Sequence, residues 1–528
     1  MEKLFATILS VIARYCVLAY FSQNGITSAA SDAVIVLFLA LLTIAAFVAL
    51  VVFLCKYAEN SVSVTIKHRA VALAAILGAG FAVRLIFGLC IRGYREDYKL
   101  FTDMFAHLAS NGLDGYYNGN YSETLYPTVY FVYLIFGGLS NVTGLSDFAL
   151  GAQFMVKFPM IIADLLTAFA VYLIANRYFN TRIALTLAAF VCVCPIFFIG
   201  SALWTSQIVF AIMFACFACY FTAKKSYAPA ILFYTLAAFS SKEGIYLFPV
   251  AATYSVFHLV RAIINIKRNK PQGREILSSD CRAVISVPIG FVGSIAIAYL
   301  IGLFMTASYS CNPFVYIYEF TLAPLVKWSH FTYNGLSVYA IFNQNGEVPG
   351  ARFPSGVFAG IFAAIIVAVV CVVYFSKRNR ATMVMLAAYS LFTMQIYYPG
   401  SNGVGMLFSL AVLVAAYALV KDKRLLYVLF VAGLAFVINS SSVLANAGYL
   451  NNIADYNFAS DSYVGSTLMS GAVGAVGITC SVFAVLAHLY FTVIAVSVGM
   501  TGQKKMLSEA VGIGGALGEF FSPKRGGK

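Results

Sequence analysis

Apolar stretches close to the length of a membrane span recur from one end of this chain to the other, and they decide what it can fold into. A helix needs roughly 20 predominantly apolar residues to cross a bilayer. About fifteen stretches approach that measure: 5–22, 33–55, 70–91, 125–143, 152–176, 183–202, 205–222, 227–240, 243–264, 284–306, 355–376, 381–398, 402–420, 424–439 and 473–499. In lipid only helices and closed barrels satisfy every backbone group, and the strict alternation of a barrel is absent. The expected fold is all-α, a polytopic helical membrane protein with about fourteen transmembrane helices. The first apolar run follows only Met-Glu-Lys and lacks a small-residue cleavage site, so it is expected to stay as a helix.

The formal net charge of +14 invites a nucleic-acid partner, and the distribution of the charges rejects one. The bases cluster in short loops: Lys56, Lys67 and Arg69; Lys224 and Lys225; Arg261 through Arg282; Lys377 to Arg380; Lys421 to Arg424; and the tail. Those are the flanks that the positive-inside rule uses. Placing them in the cytoplasm leaves 92–124, 307–352 and 440–472 as the long outer loops. With both termini inside, the number of crossings is even, so one candidate among 125–202 must re-enter or lie shallow. The localisation that follows is a cell membrane, multi-pass, with a bacterial plasma membrane favoured and the endoplasmic reticulum the choice in a eukaryote.

Eleven cysteines point to neither disulfides nor zinc, since most lie inside apolar spans as small hydrophobes. Cys216-x-x-Cys219 lacks a second pair or a nearby histidine, and none of the five histidines has an i,i+4 partner. No metal or other cofactor is called for, although a divalent metal is left open. No Gly-rich phosphate loop is visible either.

Against that apolar background, 92–130 is dense in acids, bases and tyrosines, in a chain only 10% charged. Charge is costly near a bilayer, so such a cluster marks a candidate site. From Asp97 to Asn111 the residues Leu100, Phe101, Met104, Phe105 and Leu108 recur at helical spacing opposite Lys99, Asp103 and His107. That pattern predicts an amphipathic helix lying on the membrane surface, in the first large outer loop. The later loop 307–352 is rich in Tyr, Asn and Pro, which an interfacial aromatic belt would also explain.

Asp97, with Arg92, Arg95 and Glu96 beside it, is placed to act as a general base toward an incoming hydroxyl. Nearby cations suit an anionic leaving group such as a lipid-linked phosphate. Lys157 and Asp164 stand two turns apart on one helix face, and Lys242 sits in Ser241-Lys242-Glu243-Gly244. A Lys at a helix centre costs roughly 2.5–3.5 kcal/mol on insertion scales, which a ligand or a partner must offset. A structural ion pair serves Lys157 and Asp164 equally well, and snorkelling serves Lys242.

These residues, in this order, resemble the GT-C superfamily of integral-membrane glycosyltransferases, most closely the prokaryotic proteins related to GPI mannosyltransferases. The family pattern D-x3-F-x2-W-A-x2-L-A-x2-G-x3-F-Y, then Y-P-P-G-Y, is similar to Asp97, Phe101, Met104-Phe105, Leu108-Ala109, Gly112, Tyr116-Tyr117 and Tyr126-Pro127-Thr128-Val129-Tyr130. Its K-x-P-x4-D resembles Lys157-Phe158-Pro159 with Asp164, and its later lysine resembles Lys242. An Asn-rich segment looks like Asn334 to Tyr339 followed by Asn343. The likeness covers about 70–440, which makes 1–69 two additional helices and 441–528 an outer loop, a last helix and a basic tail.

The chain departs from the family at two boxes. W-G-Q-x-D falls on Trp204-Thr205-Ser206-Gln207-Ile208, where the glutamine is one place late and the acid is gone. H-E-R-Y falls on Tyr398-Pro399-Gly400-Ser401-Asn402-Gly403, where no charge survives.

The resemblance implies inverting transfer of a hexose, mannose-like, from a polyprenyl-phosphate sugar to a lipid-linked or surface glycan acceptor on the outer face, with membrane lipids as the surroundings. It implies Asp97 as base, with Arg92, Arg95, Glu96, Tyr126, Lys157, Asp164, Trp204, Gln207, Lys242, Asn334 and Asn343 around the substrates. Two alternatives stay open: a transporter or flippase of a lipid-linked saccharide, and a GT-C relative impaired in catalysis. No repeat pairs the two halves of the chain as transporters often do, which favours the enzyme.

The charge count predicts that 92–124 faces away from the cytoplasm. A cysteine introduced at Ser110 or Asn118 should react with an impermeant reagent in intact cells; reaction only after the membrane is opened would reverse the orientation.

Overall fold

The computed structural model describes residues 28–58, 68–91, 93–111, 126–143, 149–269, 278–306, 312–318, 330–347, 361, 365–366, 368–369, 380–446 and 471–498. The candidate spans 5–22 and most of 355–376 lie outside them. The first part of the bundle comprises α1 (Ser28–Ala58), α2 (Arg69–Cys90), α3 (Arg95–Asn111), α4 (Pro127–Thr143), α5 (Ala149–Tyr178) and α6 (Thr181–Val193). A short α7 (Pro195–Phe198) and a π-helical turn (Ile199–Trp204) continue α6. Then come α8 (Ile208–Lys224), α9 (Tyr227–Ala238), the single turn α10 (Lys242–Ile245), α11 (Phe248–Asn269) and α12 (Ser278–Met305). After the short α13 (Pro313–Ile317) and α14 (Val338–Ile341), α15 (Arg380–Tyr397), α16 (Met406–Val420), α17 (Lys423–Asn446) and α18 (Gly471–Val496) complete the bundle. The strands among the described residues are β1 (Thr332–Tyr333) and β2 (Ser401–Asn402), paired in parallel.

Among the described residues, seven helices are long and apolar enough to cross a membrane, or up to eight if the bent pair around Cys194 counts as one span. Five shorter apolar helices stand among them. Every residue of α16 is buried, as expected of a helix that is apolar on all sides. The N-terminal α1 is packed into this body, with Phe47 set edge-on to Phe190 at 4.9 Å and to Phe430 at 5.1 Å.

The basic turns gather at one end. Arg182 lies 5.5 Å over the Tyr57 ring and Lys421 lies 4.5 Å over Phe179. The Tyr178 hydroxyl donates to the carbonyl of Ala223, next to Lys224 and Lys225. Lys157 stands near the opposite end, and the roughly 30 Å of helix between it and Tyr178 matches the hydrocarbon core.

Two elements in 125–202 are not single long spans: α4, whose apolar part Pro127–Ser140 is short, and the bent pair Thr181–Val193 with Pro195–Trp204. The entry to α4 is tied to α8 and α9, through the Tyr126 amide to Gln207 and the Thr128 amide to Phe239. The middle of α4 lies along the first half of α5, with the Tyr133 hydroxyl donating to Val156 O and Phe136 at 5.9 Å from Phe158. The residue after Val156 in α5, Lys157, reaches the carbonyls of Ile91 and Ala202.

The broken span follows from Pro195. It bends the pair of segments by 53°, because proline cannot donate to the carbonyl four residues back. That carbonyl belongs to Val191, and Arg84 supplies the missing donor at 3.0 Å, with a second bond to Cys192 O at 2.6 Å. The same guanidinium pairs with Asp164 at 2.8 Å, and Ser201 donates to that carboxylate at 2.7 Å. Arg84 is fully buried and Asp164 nearly so. In lipid these bonds are the sole means of satisfying the broken backbone.

Arg84→Met should cost about 3–5 kcal/mol, because it orphans a buried carboxylate along with two carbonyls. Adding Asp164→Leu should recover part of the loss by removing the orphaned charge. Chemical denaturation in detergent measures both, and an Arg84→Met protein as stable as the wild type would contradict the account.

Candidate active site

Two backbone breaks meet at the end of the bundle away from the basic turns. The first lies between α2 and α3, where Gly93 takes φ 114°. The second is the π-turn ending at Trp204, followed by Thr205 in the left-handed region at φ 71°. A side chain at Gly93 would lie 2.2 Å from the Thr205 hydroxyl, so glycine is required both for its angle and for this approach. The Tyr94 amide donates to Trp204 O at 2.9 Å, and the two rings stack at 4.7 Å.

This crossing aims the indole at the carboxylate. Trp204 Nε1 donates to Asp97 Oδ2 at 2.9 Å. Asp97 is half-buried in the first turn of α3, whose Tyr98, Phe101, Met104 and Phe105 are buried while Lys99 is exposed. The amphipathic pattern thus folds as expected, with Phe101 against Tyr133 at 4.3 Å. Burial pushes the Asp103 carboxyl above its usual range, opposed by Lys99.

Lys157 lies beneath the crossing, almost fully buried. Its Nζ donates to Ile91 O, at the first break, and to Ala202 O, in the π-turn. Gln153 adds bonds to Gly88 O at 2.6 Å and to Ile91 O at 3.0 Å. These are carbonyls that a helix leaves unpaired where it ends. Asp164 pairs with Arg84, so the two candidates read as neighbours on one face do not pair with each other.

On the other flank, Gln207 Oε1 accepts from the Tyr126 amide at 3.3 Å. The Thr128 hydroxyl meets Ser240 Oγ at 2.9 Å, which fastens the start of α4 to the turn preceding α10. The Lys242 backbone N–H and the Glu243 carboxylate both lie within electrostatic reach of the Tyr126 hydroxyl. Lys242 Nζ donates to Gly400 O. The segment that lost the family's charged box therefore answers the lysine with a backbone carbonyl.

The circle closes through β1 and β2, where Thr332 pairs with Ser401. Gly403 packs flat against Trp204, and a Cβ there would meet the indole at 2.8 Å. Asn334, in the left-handed region at φ 56°, is held by Asn345 at 2.7 Å and by Asn439 at 2.8 Å on its carbonyl. It shapes the wall behind the indole.

The structure thus brings together Asp97, Trp204, Gln207, Tyr126, Lys242 and Asn334. Asn343 is an exposed turn residue at φ 57°. Arg92 and the side chains of Arg95 and Glu96 lie outside the described residues. Sequence reading passed over Tyr94, Gln153, Glu243 and Arg84. Arg84 had a visible signal, a charge within an apolar span, whereas Tyr94 and Gln153 had none. Among the described residues, no three His, Cys, Asp or Glu side chains gather so as to hold a metal ion.

Residues 146–273 match the family model described as dolichyl-phosphate-mannose-protein mannosyltransferase. That stretch carries Lys157, Asp164, Trp204, Gln207 and Lys242, whereas Asp97, Tyr126 and the two strands lie outside it. No curated protein and no solved structure matches the chain. The match supports a multi-pass membrane glycosyltransferase of mannosyltransferase-like kind in general. In that segment and in its all-α architecture, the chain resembles the GT-C membrane glycosyltransferases.

Proposed function

We propose that this protein transfers a mannose-like hexose from a polyprenyl-phosphate sugar to a lipid-linked or surface glycan acceptor, on the outer face of the membrane and with inversion. The acceptor oxygen attacks the anomeric carbon as its proton passes to Asp97. The bond from that carbon to the phosphate oxygen breaks, and the polyprenyl phosphate departs with the electron pair. Lys242 meets the departing phosphate, joined by Arg92 or Arg95. Its one described bond goes to a neutral carbonyl, so its charge remains for an anion. Glu96, Tyr126, Gln207, Asn334 and Asn343 remain candidates for the sugar and the acceptor. Lys157 and Asp164 serve this site by holding its two backbone breaks in place.

The observation that carries this reading is the Trp204–Asp97 hydrogen bond. It engages one carboxylate oxygen and fixes the plane of the group at the rim, as a base that must meet a hydroxyl in one geometry requires. The location supports a lipid donor, since the site stands opposite the basic turns while nucleotide sugars are cytoplasmic.

Asp97→Asn should lower transfer by about 10²–10⁴-fold with folding intact. Trp204→Phe keeps an aromatic ring against Tyr94 but removes the donor, and should cost roughly 10–100-fold, the worth of a bond to a charged group. Asp103→Asn should be tolerated, because Asp103 lies on the opposite side of α3 from Phe101. Turnover with a polyprenyl-phosphate mannose donor measures all three, and near-normal turnover in Asp97→Asn would place the base elsewhere.

A further inference from the structure

Several buried side-chain atoms among the described residues have no hydrogen-bond partner, and Glu243 Oε1 is the one carboxylate oxygen among them. Glu243 is 5% exposed. A carboxylate in such a place is strongly disfavoured unless something donates to it, and an orphaned one points to a ligand. Its place is on the rim just described, one residue after Lys242.

The local fold explains why it is held there. Ser241 caps the single turn α10 by accepting from the Gly244 amide at 3.2 Å. The Thr128–Ser240 contact ties that turn to the start of α4. Lys242 is drawn toward Gly400, while Glu243 is set among tyrosines, within electrostatic reach of Tyr126 and Tyr246. Tyr246 in turn packs edge-on against Tyr398 at 5.7 Å. The one turn therefore presents a lysine bonded to a carbonyl and, in the next residue, a carboxylate with one oxygen unanswered beside aromatic rings.

That division selects the occupant chemically. A carboxylate repels a phosphate, so the lipid phosphate belongs with Lys242 and not with Glu243. A group that donates hydrogen bonds and also offers an apolar C–H face suits a carboxylate walled by tyrosine rings. A sugar ring has both.

We propose that Glu243 is a specificity-determining residue that accepts a hydrogen bond from a hydroxyl of the transferred sugar, with Tyr246 and Tyr398 forming the wall beside it. This rests on the glycosyltransferase reading above and assigns to that site the group that chooses the sugar. Substrate binding supplies the donor that the empty protein lacks. Glu243 therefore disfavours the unliganded fold while favouring the bound one, a trade seen at functional positions.

The test uses the purified full-length protein with polyprenyl-phosphate mannose and its 2-, 3-, 4- and 6-deoxy analogues. The wild type should transfer one of the deoxy sugars about 10–100-fold less efficiently than mannose, because a site built to bond a hydroxyl rejects the analogue lacking it. Glu243→Gln should lose efficiency on mannose and lose most of that discrimination, while the rejection of the other analogues stays as it was. Its melting temperature without substrate should equal or exceed that of the wild type, since a buried carboxylate with an unanswered oxygen has been removed.

An unchanged pattern of analogue selectivity in Glu243→Gln would overturn the proposal, as would wild-type selectivity combined with a lowered melting temperature, the mark of a structural residue. If Glu243→Gln is changed only toward deoxy analogues of the acceptor, the donor assignment is overturned. Absence of transfer from every lipid donor by the wild type would instead bring down the glycosyltransferase reading, and this inference with it.

Discussion

A buried lysine, Lys157, holds two breaks in the backbone of this bundle, and the candidate site depends on that arrangement. At Ile91 the chain leaves a helix, and at Ala202 it is wound as a π-turn that ends in a left-handed residue. Each break frees carbonyl groups in a region where no water is at hand to meet them. Lys157 donates to one carbonyl from each, so it both satisfies the breaks and clamps them together. Gln153 finishes the first break, and Arg84 does the same service at the carbonyls freed by Pro195. Without those donors the Tyr94–Trp204 stack would lose its frame, and the indole its aim at Asp97. Irregular backbone in a membrane protein is tolerated only where it is buried in protein or lines a cavity, and functional sites are built from such places.

The same logic organises the rest of the rim. Most residues on it come from the ends of helices: Asp97 from the first turn of α3, Tyr126 from the entry to α4, Gln207 from the entry to α8, Lys242 and Glu243 from α10, while Asn334 follows β1. Helix ends are where backbone groups and side chains are available for use, and packing the ends together concentrates polarity at one face. The opposite face collects the basic turns, with Asp422 and Arg424 paired at 2.7 Å and Lys421 over Phe179. The two faces stand about one hydrocarbon thickness apart.

Much of this was legible in the sequence because charge in an apolar chain is conspicuous. Asp97, Lys242 and the amphipathic spacing from Leu100 to Phe105 could be read directly, and the family resemblance added Tyr126, Trp204 and Gln207. Partners were harder to read than positions. Lys157 and Asp164 share a helix face, yet their partners come from other helices, backbone carbonyls in one case and Arg84 in the other. No spacing along one helix reports a contact made across the bundle. The stretch from Tyr398 to Gly403 looked like a loss of function because its charges are gone. Its contribution is made by backbone, through Gly400 O to Lys242 and the flat face of Gly403 against Trp204, and backbone roles leave little trace in composition.

The claim on which everything functional rests is that sugar reaches this site on a lipid phosphate and leaves it in a new glycosidic bond. The direct measurement presents the purified protein in lipid nanodiscs with radiolabelled mannose, once as the polyprenyl phosphate and once as the nucleoside diphosphate, with the same acceptor extract. Label should pass to the acceptor from the polyprenyl phosphate alone. Transfer from the nucleotide sugar alone would contradict the account, and so would movement of the intact lipid-linked sugar across vesicles with no bond formed.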